Sequence, residues 1–252
     1  MKRIFKILFI VQLCLFGELS EATEKNNISQ SKRYNDCMSQ SRMYPEKGIE
    51  TAKKWLAEAE HMAAKHCLAT GKFFAGFYEA AAIIFENLTA DKNELSNEVR
   101  AQLFSQAGHA RLLMGQPKKA LENQTSSIDL YREDPQFFLD RAITWMALKN
   151  YEEAIADIDK AIQNNPRFGD ALLFRAIAKR SSKDFDGALI DVNNALAFAP
   201  NLPAALLERG IILNLVGQLD SAVLDWSKVI DVAPNSSEAI SAGKWIDKFA
   251  LK

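Results

Sequence analysis

Apolar residues in the C-terminal part of the chain recur with helical spacing, in pairs of runs that a short polar break separates. One run contains Phe138, Ala142 and Trp145, and the next contains Ala154 and Ile158. Residues three and four positions apart lie on one face of an α-helix, so each run predicts an amphipathic helix. Together the two runs predict a helical hairpin.

This hairpin pattern repeats at a constant period over the segment 135–236. The period is carried by an arginine, a small residue after it, an alanine in the second helix and a closing proline. These residues are Arg141, Arg175 and Arg209; Ala142, Ala176 and Gly210; Ala154, Ala188 and Ala222; and Pro166, Pro200 and Pro234. Because proline disfavours helix at the residue before it, each proline predicts the end of a second helix. The period indicates stacked supersecondary units rather than a globule built around one active site.

The residue types at these spacings resemble the tetratricopeptide repeat, with its large, small, aromatic, Ala, large, Ala and Pro positions. In one unit they are Phe138, Ala142, Trp145, Ala154, Ile158, Ala161 and Pro166. The resemblance implies an all-α, right-handed solenoid with units at 101–134, 135–168, 169–202 and 203–236, and a capping helix at 237–252. Lys179 stands where the family has an aromatic residue, and we expect it to loosen its unit slightly.

The segment 1–22 has the features of an export signal. A basic start at Lys2, Arg3 and Lys6 precedes a short apolar run, and Ser20 and Ala22 provide small residues for cleavage. The pattern predicts a signal peptide at 1–22, and an uncleaved membrane anchor is the alternative.

The region 23–100 predicts helices with degenerate repeats before the regular array at 101–252. Its Cys-containing first helix, Trp55 and the His66-Cys67 pair resemble exported, periplasmic tetratricopeptide repeat proteins of alpha-proteobacteria. That resemblance implies a non-enzymatic protein in the periplasm of a Gram-negative bacterium.

Two cysteines, Cys37 and Cys67, remain once the predicted signal is removed. An even pair in an exported chain predicts a disulfide, and the first and third helices of a stack are neighbours, so the bridge is geometrically possible. Two buried free thiols are the alternative. His66 is interpreted as a surface histidine beside a disulfide cysteine rather than as the base of a cysteine nucleophile.

Composition and motifs argue against catalysis and against nucleic-acid binding. The 252 residues are 48% hydrophobic with a net charge of −1, and no basic run is interleaved with aromatics. His61 and His66 are five residues apart and point in different directions on a helix, which does not suit a metal site. No serine nucleophile elbow, phosphate loop or paired-carboxylate motif is present. We therefore expect no enzymatic activity, cofactor or metal.

Each periodic arginine is followed sixteen residues later by an aspartate: Asp157, Asp191 and Asp225. The 101–134 unit lacks both partners and has Ala107 and Asn123 instead. Joint presence and joint absence predict an Arg–Asp bond across the helix pair of one repeat. A bidentate bond of this kind would fix how the two helices cross, so we interpret the pairs as structural.

In the repeat family, the fifth and ninth positions of each unit face the inner side of the array. The resemblance therefore predicts a partner-binding groove, with further positions one turn later. Its residues are His109, Leu139, Ile143, Met146, Leu173, Ile177, Arg180, Leu207, Ile211 and Asn214. Leu and Ile stand where a chaperone-tail-binding repeat has Lys and Asn, which favours an amphipathic helix or an extended apolar peptide. The alternative is that these side chains pack on neighbouring first helices or are covered by the chain's own ends.

Two functions are consistent with these patterns. The first is an exported, non-catalytic interaction module that binds a protein or peptide in its concave groove, without a membrane span in the mature chain. The second is a structural subunit of an envelope assembly that uses the convex face or the N-terminal region. Charged residues such as Glu152, Lys160 and Asp186 on the second helices are expected to be solvated, which favours the first function.

Overall fold

The computed structural model of the chain describes residues 31–59, 61–90 and 95–250. The predicted signal peptide, 1–22, lies outside these residues. Every regular element in the described residues is an α-helix, which confirms the predicted all-α class.

Thirteen helices follow one another in the described part of the chain, joined mostly by short turns. They are α1 (31–43), α2 (Pro45–Glu58), α3 (Met62–Phe74), α4 (Tyr78–Leu88), α5 (Asn97–Leu113), α6 (Pro117–Leu130), α7 (Pro135–Ala147), α8 (Tyr151–Asn164), α9 (Gly169–Ser181), α10 (Phe185–Phe198), α11 (Pro203–Leu215), α12 (Leu219–Val232) and α13 (Ser237–Ala250).

The chain divides into two compact units between Ala90 and Asp91. Unit 1 contains α1 to α4, and unit 2 contains α5 to α13. In unit 2, α5 begins at Asn97, one turn before the predicted start of its repeat at 101. Ser96 sets this start, because its hydroxyl accepts a hydrogen bond from the backbone N–H of Val99 at 3.2 Å.

The helix ends follow the prolines of the repeat. The second helices α8, α10 and α12 end at Asn164, Phe198 and Val232, two residues before each periodic proline. This confirms the prediction that proline closes each second helix, since it lacks the N–H that a longer helix would need.

The turn inside each hairpin contains one residue in the left-handed region. These residues are Gly76, Gly115, Lys149, Lys183 and Gly217, with φ between 63° and 84°. From Gly115 to Gly217 they keep the period of the repeat, whereas the step from Gly76 to Gly115 is longer. The α3–α4 pair is therefore a hairpin with a similar turn, and more residues separate it from the next hairpin.

Close packing in each hairpin depends on a small residue opposite a residue sixteen positions later. Ala142 and Ile158 are both fully buried where α7 crosses α8. In the last repeat the pair is Gly210 and Trp226, and a β-carbon on Gly210 would overlap the indole of Trp226. Glycine is needed here because the larger tryptophan takes the space that alanine has in the other repeat.

The predicted arginine–aspartate bonds form in all three regular repeats. In the middle repeat, Arg175 donates to the two carboxylate oxygens of Asp191 from Nε and Nη2, at 2.8 and 2.6 Å. The flanking pairs have the same bidentate geometry, with distances of 2.6–2.8 Å: Arg141–Asp157 and Arg209–Asp225. The prediction that the partners lie within one repeat is confirmed.

Each arginine also donates from Nη1 to the second helix of the preceding repeat, which the sequence analysis missed. The acceptors are Thr125 at 3.1 Å, Asp159 at 2.6 Å and Asn193 at 3.0 Å, each sixteen residues before its arginine. We call these three arginines and their acceptors the arginine ladder.

Lys179, which the sequence predicts to loosen its unit slightly, forms an ion pair within its own repeat. Its ammonium lies 2.8 Å from Asp191, the carboxylate that Arg175 binds. Asp191 is 1% exposed, so this buried carboxylate has two cationic partners. The ion pair replaces the aromatic packing that the family has at this position.

In unit 1, a disulfide between Cys37 and Cys67 joins α1 to α3 across a Cα–Cα distance of 6.1 Å. Both cysteines are fully buried, and the hydroxyl of Ser41 donates to the carbonyl oxygen of Cys67 at 3.1 Å. This supports the predicted pairing over two free thiols. Cross-linking positions at a sequence separation of 30 stabilises the fold by about 3–4 kcal/mol in the chain-entropy model.

His66 is not the surface residue that the sequence suggested. Its Nδ1 lies 2.6 Å from the Tyr34 hydroxyl, and its ring packs edge-on against Phe85. Burial raises the pKa of Tyr34, so the phenol stays protonated where it shares a hydrogen bond with the imidazole. The histidine therefore helps hold α1, α3 and α4 together.

The helix α13 covers the last repeat. Ser236 caps it by accepting a hydrogen bond from the N–H of Ala239 at 3.0 Å. The Trp245 ring stacks on Trp226 with the ring centres 5.4 Å apart. The core of the α11–α12 hairpin is thereby closed on the side where the described helices end.

Candidate binding groove

The first helices of unit 2 form one continuous layer. Contacts join the first helices in order, α5 to α7, α7 to α9, α9 to α11 and α11 to α13. No two second helices pack closely together in the described part of unit 2. A layer of touching helices under a layer of separated ones curves toward the touching side. The face formed by the first helices is therefore the inner face of unit 2, and we call its surface the groove.

Two of the predicted groove residues belong to the core. Leu139 is 2% exposed and Leu173 is 6% exposed, and both contribute to the apolar clusters inside the array. Leu207, at the same position of the last repeat, is partly exposed instead. For these two leucines the structure supports the alternative of packing within the array, and they offer little surface to a partner.

The other predicted groove residues are partly exposed. Ile143 and Met146 pack against the core of the α7–α8 hairpin, and Ile177, Leu207 and Ile211 pack against that of the last two repeats. The polar members His109, Arg180 and Asn214 are also partly exposed. Their assignment to ligand binding remains a prediction.

A buried carboxylate links α5 and α7 at one end of the groove. Asp140 is 1% exposed and accepts hydrogen bonds from the Ser105 hydroxyl at 2.5 Å and from the Gln136 amide at 2.7 Å. Nε2 of His109 lies 3.1 Å from the same carboxylate. No periodic signal marks Asp140 in the sequence, because the adjacent repeats have Gln106 and Phe174 at this position and an acidic residue returns only at Glu208.

The pKa of His109 is raised by this arrangement. Burial acts to lower the pKa, but the hydrogen bond to Asp140 and the attraction of its negative charge outweigh that effect. The side chain remains 38% exposed, so one edge of the imidazole faces solvent. His109 is thus a partly accessible donor that Asp140 holds in place.

A second polar bridge joins α9 to α11. Arg180 binds Glu208 through Nε and through Nη2, the latter 3.3 Å from the carboxylate. Glu208 is 6% exposed, so Arg180 is committed to neutralising a buried charge. The groove therefore has an apolar surface interrupted by two satisfied polar bridges.

The described residues contain no group of metal-ligating side chains, and none of their helices combines the length and hydropathy that a membrane crossing requires.

The tetratricopeptide repeat family model matches this chain at residues 105–167 and 139–203. Residues 105–203 are therefore similar to the tetratricopeptide repeat. The helices α5 to α10, which contain Arg141, Arg175 and their acceptors, lie largely within this matched region.

Curated relatives match part of the array. The chain is 34% identical over 71 residues to a small glutamine-rich tetratricopeptide repeat-containing protein of Dictyostelium discoideum, which is 28% of this chain and 21% of the relative. It is 33% identical over 73 residues to the human protein SGT1 homolog, which is 29% of this chain and 20% of the relative. The similarity spans about a fifth of each relative's length.

Solved tetratricopeptide repeat structures share the fold at low identity. The thermophilic protein TTC0263 of Thermus thermophilus aligns with a TM-score of 0.62 and 18% identity, covering 73% of this chain and 98% of that one. MamA aligns with a TM-score of 0.55 and 19% identity over 66% of this chain and 94% of its own. YrrB aligns with a TM-score of 0.54 and 17% identity over 78% and 99%. These likenesses show the repeat fold.

Proposed function

We propose that this protein is an exported, non-catalytic interaction module whose groove binds an apolar segment of a partner protein. The observation that carries the proposal is a row of partly exposed isoleucines, Ile143, Ile177 and Ile211. They occupy one position on three successive first helices that touch one another. Such a row suits an amphipathic helix or an extended apolar peptide, which buries one side chain against each step.

The polar groups beside this row support binding rather than catalysis. Both oxygens of the Asp140 carboxylate accept hydrogen bonds, and Arg180 is paired with Glu208. A general base or nucleophile needs a group free to react with substrate, and these groups are engaged with one another. YrrB, a repeat protein of the same fold, is described as having a peptide-binding site, and this agrees with a peptide as the ligand class.

Export to the periplasm of a Gram-negative bacterium is supported by two independent features. One is the predicted signal at 1–22, and the other is the buried Cys37–Cys67 disulfide, since disulfides persist in oxidising compartments. Cell fractionation with N-terminal sequencing tests this. We expect a periplasmic protein that begins at Thr23. A cytoplasmic protein with the segment 1–22 intact and both cysteines alkylatable would refute export.

A groove variant tests the binding proposal. Ile143→Glu with Ile177→Glu places two charges on the partly exposed row and leaves the buried Leu139 and Leu173 unchanged. Ala156→Glu is the matched control, because Ala156 is exposed on α8, outside the groove. Circular dichroism must show that both variants fold.

The readout is crosslinking and co-purification from cells that express each form. We expect one partner to bind the wild type and the Ala156→Glu control but not the groove variant. Equal recovery of the same partner with all three forms would place the binding surface elsewhere on the protein.

Two sets of exposed residues on the second helices bear on the alternative function, a structural subunit of an envelope assembly. The charged residues predicted to be solvated, such as Glu152 and Lys160, are exposed on the second helices. However, Ile190 and Leu224 on the same outer face are 62% and 72% exposed. Large apolar side chains at such exposure favour a contact with another protein surface.

A further inference from the structure

The outer surfaces of α10 and α12 carry apolar side chains in matching columns. Residues four apart on a helix lie nearly in line along it, and the two columns, 186 to 198 and 220 to 232, are offset by one period of the repeat. Each column has four residues, and all eight are exposed: Asp186, Ile190, Asn194 and Phe198 on α10, and Asp220, Leu224, Lys228 and Val232 on α12. The four large apolar members have exposures of 62%, 47%, 72% and 38%: Ile190, Phe198, Leu224 and Val232. We call these four residues the outer apolar patch.

The preceding repeat shows that the fold does not require apolar residues there. The equivalent column on α8 consists of Glu152, Ala156, Lys160 and Asn164, all exposed. Because α8 has the same place in its hairpin, solvent-facing positions of this repeat tolerate charge. The outer apolar patch is therefore a specific feature of the last two hairpins.

A further exposed apolar residue lies on α13, the helix that packs against α12. Ile240 is 60% exposed, whereas Leu206, its equivalent on α11, is fully buried. The difference arises because α12 covers α11, while α13 is followed by no second helix in the described residues. The surface of α13 beside α12 is thus uncovered, and Ile240 lies on it where another second helix would pack. We call this uncovered surface around Ile240 the step.

We propose that α12 of a second copy of this chain fills the step, with its Leu224 against Ile240. The contact is reciprocal about a two-fold axis, so each copy's α12 occupies the other's step and the assembly closes as a dimer. Leu224 and Ile240 of both copies are then removed from water together.

Charges select the direction in which α12 lies on α13. If the two helices run antiparallel with Leu224 opposite Ile240, Lys244 faces Asp220 of the other copy, because each is one turn from the apolar pair. If they run parallel, Lys244 faces Lys228 instead, and Asp247 faces Asp231 in a second like-charge contact. The antiparallel arrangement is also the one that first and second helices adopt within each hairpin.

Sedimentation equilibrium of the purified protein over a wide range of concentrations tests the proposal. We expect a monomer–dimer equilibrium for the wild type. Leu224→Glu and Ile240→Glu, each on its own, should weaken the dimer by about tenfold or more, because each buries a charge at the centre of the contact. Ala156→Glu places the same charge on the equivalent column of α8 and should leave dimerisation unchanged, with helicity by circular dichroism retained in all variants.

A charge exchange tests the orientation. Asp220→Lys should weaken the dimer by like-charge contact with Lys244, and the double variant Asp220→Lys with Lys244→Asp should recover it. A wild type that stays monomeric at every concentration, or a Leu224→Glu variant that dimerises as well as the Ala156→Glu control, would overturn the proposal. The groove variant Ile143→Glu with Ile177→Glu should still dimerise, so the outcome is independent of the groove's ligand.

Discussion

Arg175 donates a hydrogen bond of 2.6 Å to Asp159, an aspartate on the second helix of the preceding repeat. The same guanidinium also binds both oxygens of Asp191 in its own repeat. Asp159 is half exposed and Asp191 is buried, so the two bonds differ in energy. The buried bond fixes the hairpin, and the exposed one joins it to its neighbour.

Removing a ladder arginine should destabilise the protein by an amount that depends on what else reaches its aspartate. Arg209→Leu leaves the buried carboxylate of Asp225 without its guanidinium, and we expect a loss of about 2–4 kcal/mol. Arg175→Leu should cost less, since Lys179 still lies 2.8 Å from Asp191. Chemical denaturation measures both. An unchanged melting temperature for Arg175→Leu would contradict the structural role of the ladder. Asp159→Asn changes only the exposed bond, so it should lower the free energy of unfolding by less than about 1 kcal/mol.

The Gly210–Trp226 pair should behave as one unit in a double-mutant cycle. Gly210→Ala forces a methyl group into the indole and should cost about 1–3 kcal/mol. Trp226→Val alone leaves a cavity and should cost about 3–5 kcal/mol. The double variant recreates the Ala–Val combination of Ala176 and Val192, so the second substitution should remove the penalty of Gly210→Ala. Simple additivity of the two losses would show that the residues do not compete for space.

Lys149 is in the left-handed region at φ 63°, where Gly115 and Gly217 stand in other hairpins. Glycine adopts this conformation without a clash of its β-carbon, so Lys149→Gly should stabilise the protein by about 1 kcal/mol. The reverse substitution, Gly217→Lys, should destabilise it by a similar amount. Thermal melts of the two variants give the comparison, and equal shifts in the same direction would argue against backbone strain as the cause.

Reduction of the Cys37–Cys67 disulfide should lower the stability of unit 1. The chain-entropy model gives a loss of about 3–4 kcal/mol for this loop. Hydrogen exchange with and without a reductant should show lower protection in α1 to α3 after reduction. The variant Cys37→Ser with Cys67→Ser is the control, because its exchange should not respond to the reductant. A wild type whose exchange is unaffected by complete reduction would rule out a stabilising role.

The His109–Asp140 pair should make stability depend on pH. The folded state raises the pKa of His109 above its unfolded value of about 6.5, so the protonated imidazole favours the folded state. This contribution is complete below pH about 6.5 and is lost as the pH rises through the folded-state pKa. His109→Gln should remove that part of the pH dependence of unfolding. A wild type and a variant with parallel stability profiles above pH about 6 would contradict the linkage.

Features that the period repeats were accessible from the sequence, and features that occur once were not. The Arg–Asp bonds could be predicted because both partners are present or absent together, as the Ala107 and Asn123 unit shows. The inter-repeat acceptors Thr125, Asp159 and Asn193 differ in type, so no pattern marked them. Asp140 gave no periodic signal, because Gln106 and Phe174 stand at its position in the adjacent repeats and an acidic residue returns only at Glu208.

The groove could be predicted only in part, because burial depends on how closely neighbouring helices approach. Leu139 and Ile143 have the same hydrophobic character and both face the first-helix layer. The structure buries Leu139 and leaves Ile143 partly exposed. Sequence periodicity gives the face of a helix but not the separation of the next one.

The arginine ladder begins at Arg141, and this sets how local melting can spread through unit 2. Of the ladder's bonds, opening of the α5–α6 hairpin breaks only the one from Arg141 to the Thr125 hydroxyl, although it also breaks the contacts of Ser105 and His109 with Asp140. Opening of the α9–α10 hairpin breaks a bidentate ion pair and releases bonds on both sides of it, to Asp159 and to Arg209. The ladder therefore opposes local opening least at the α5–α6 hairpin, whereas each later hairpin must also break a bidentate ion pair to open.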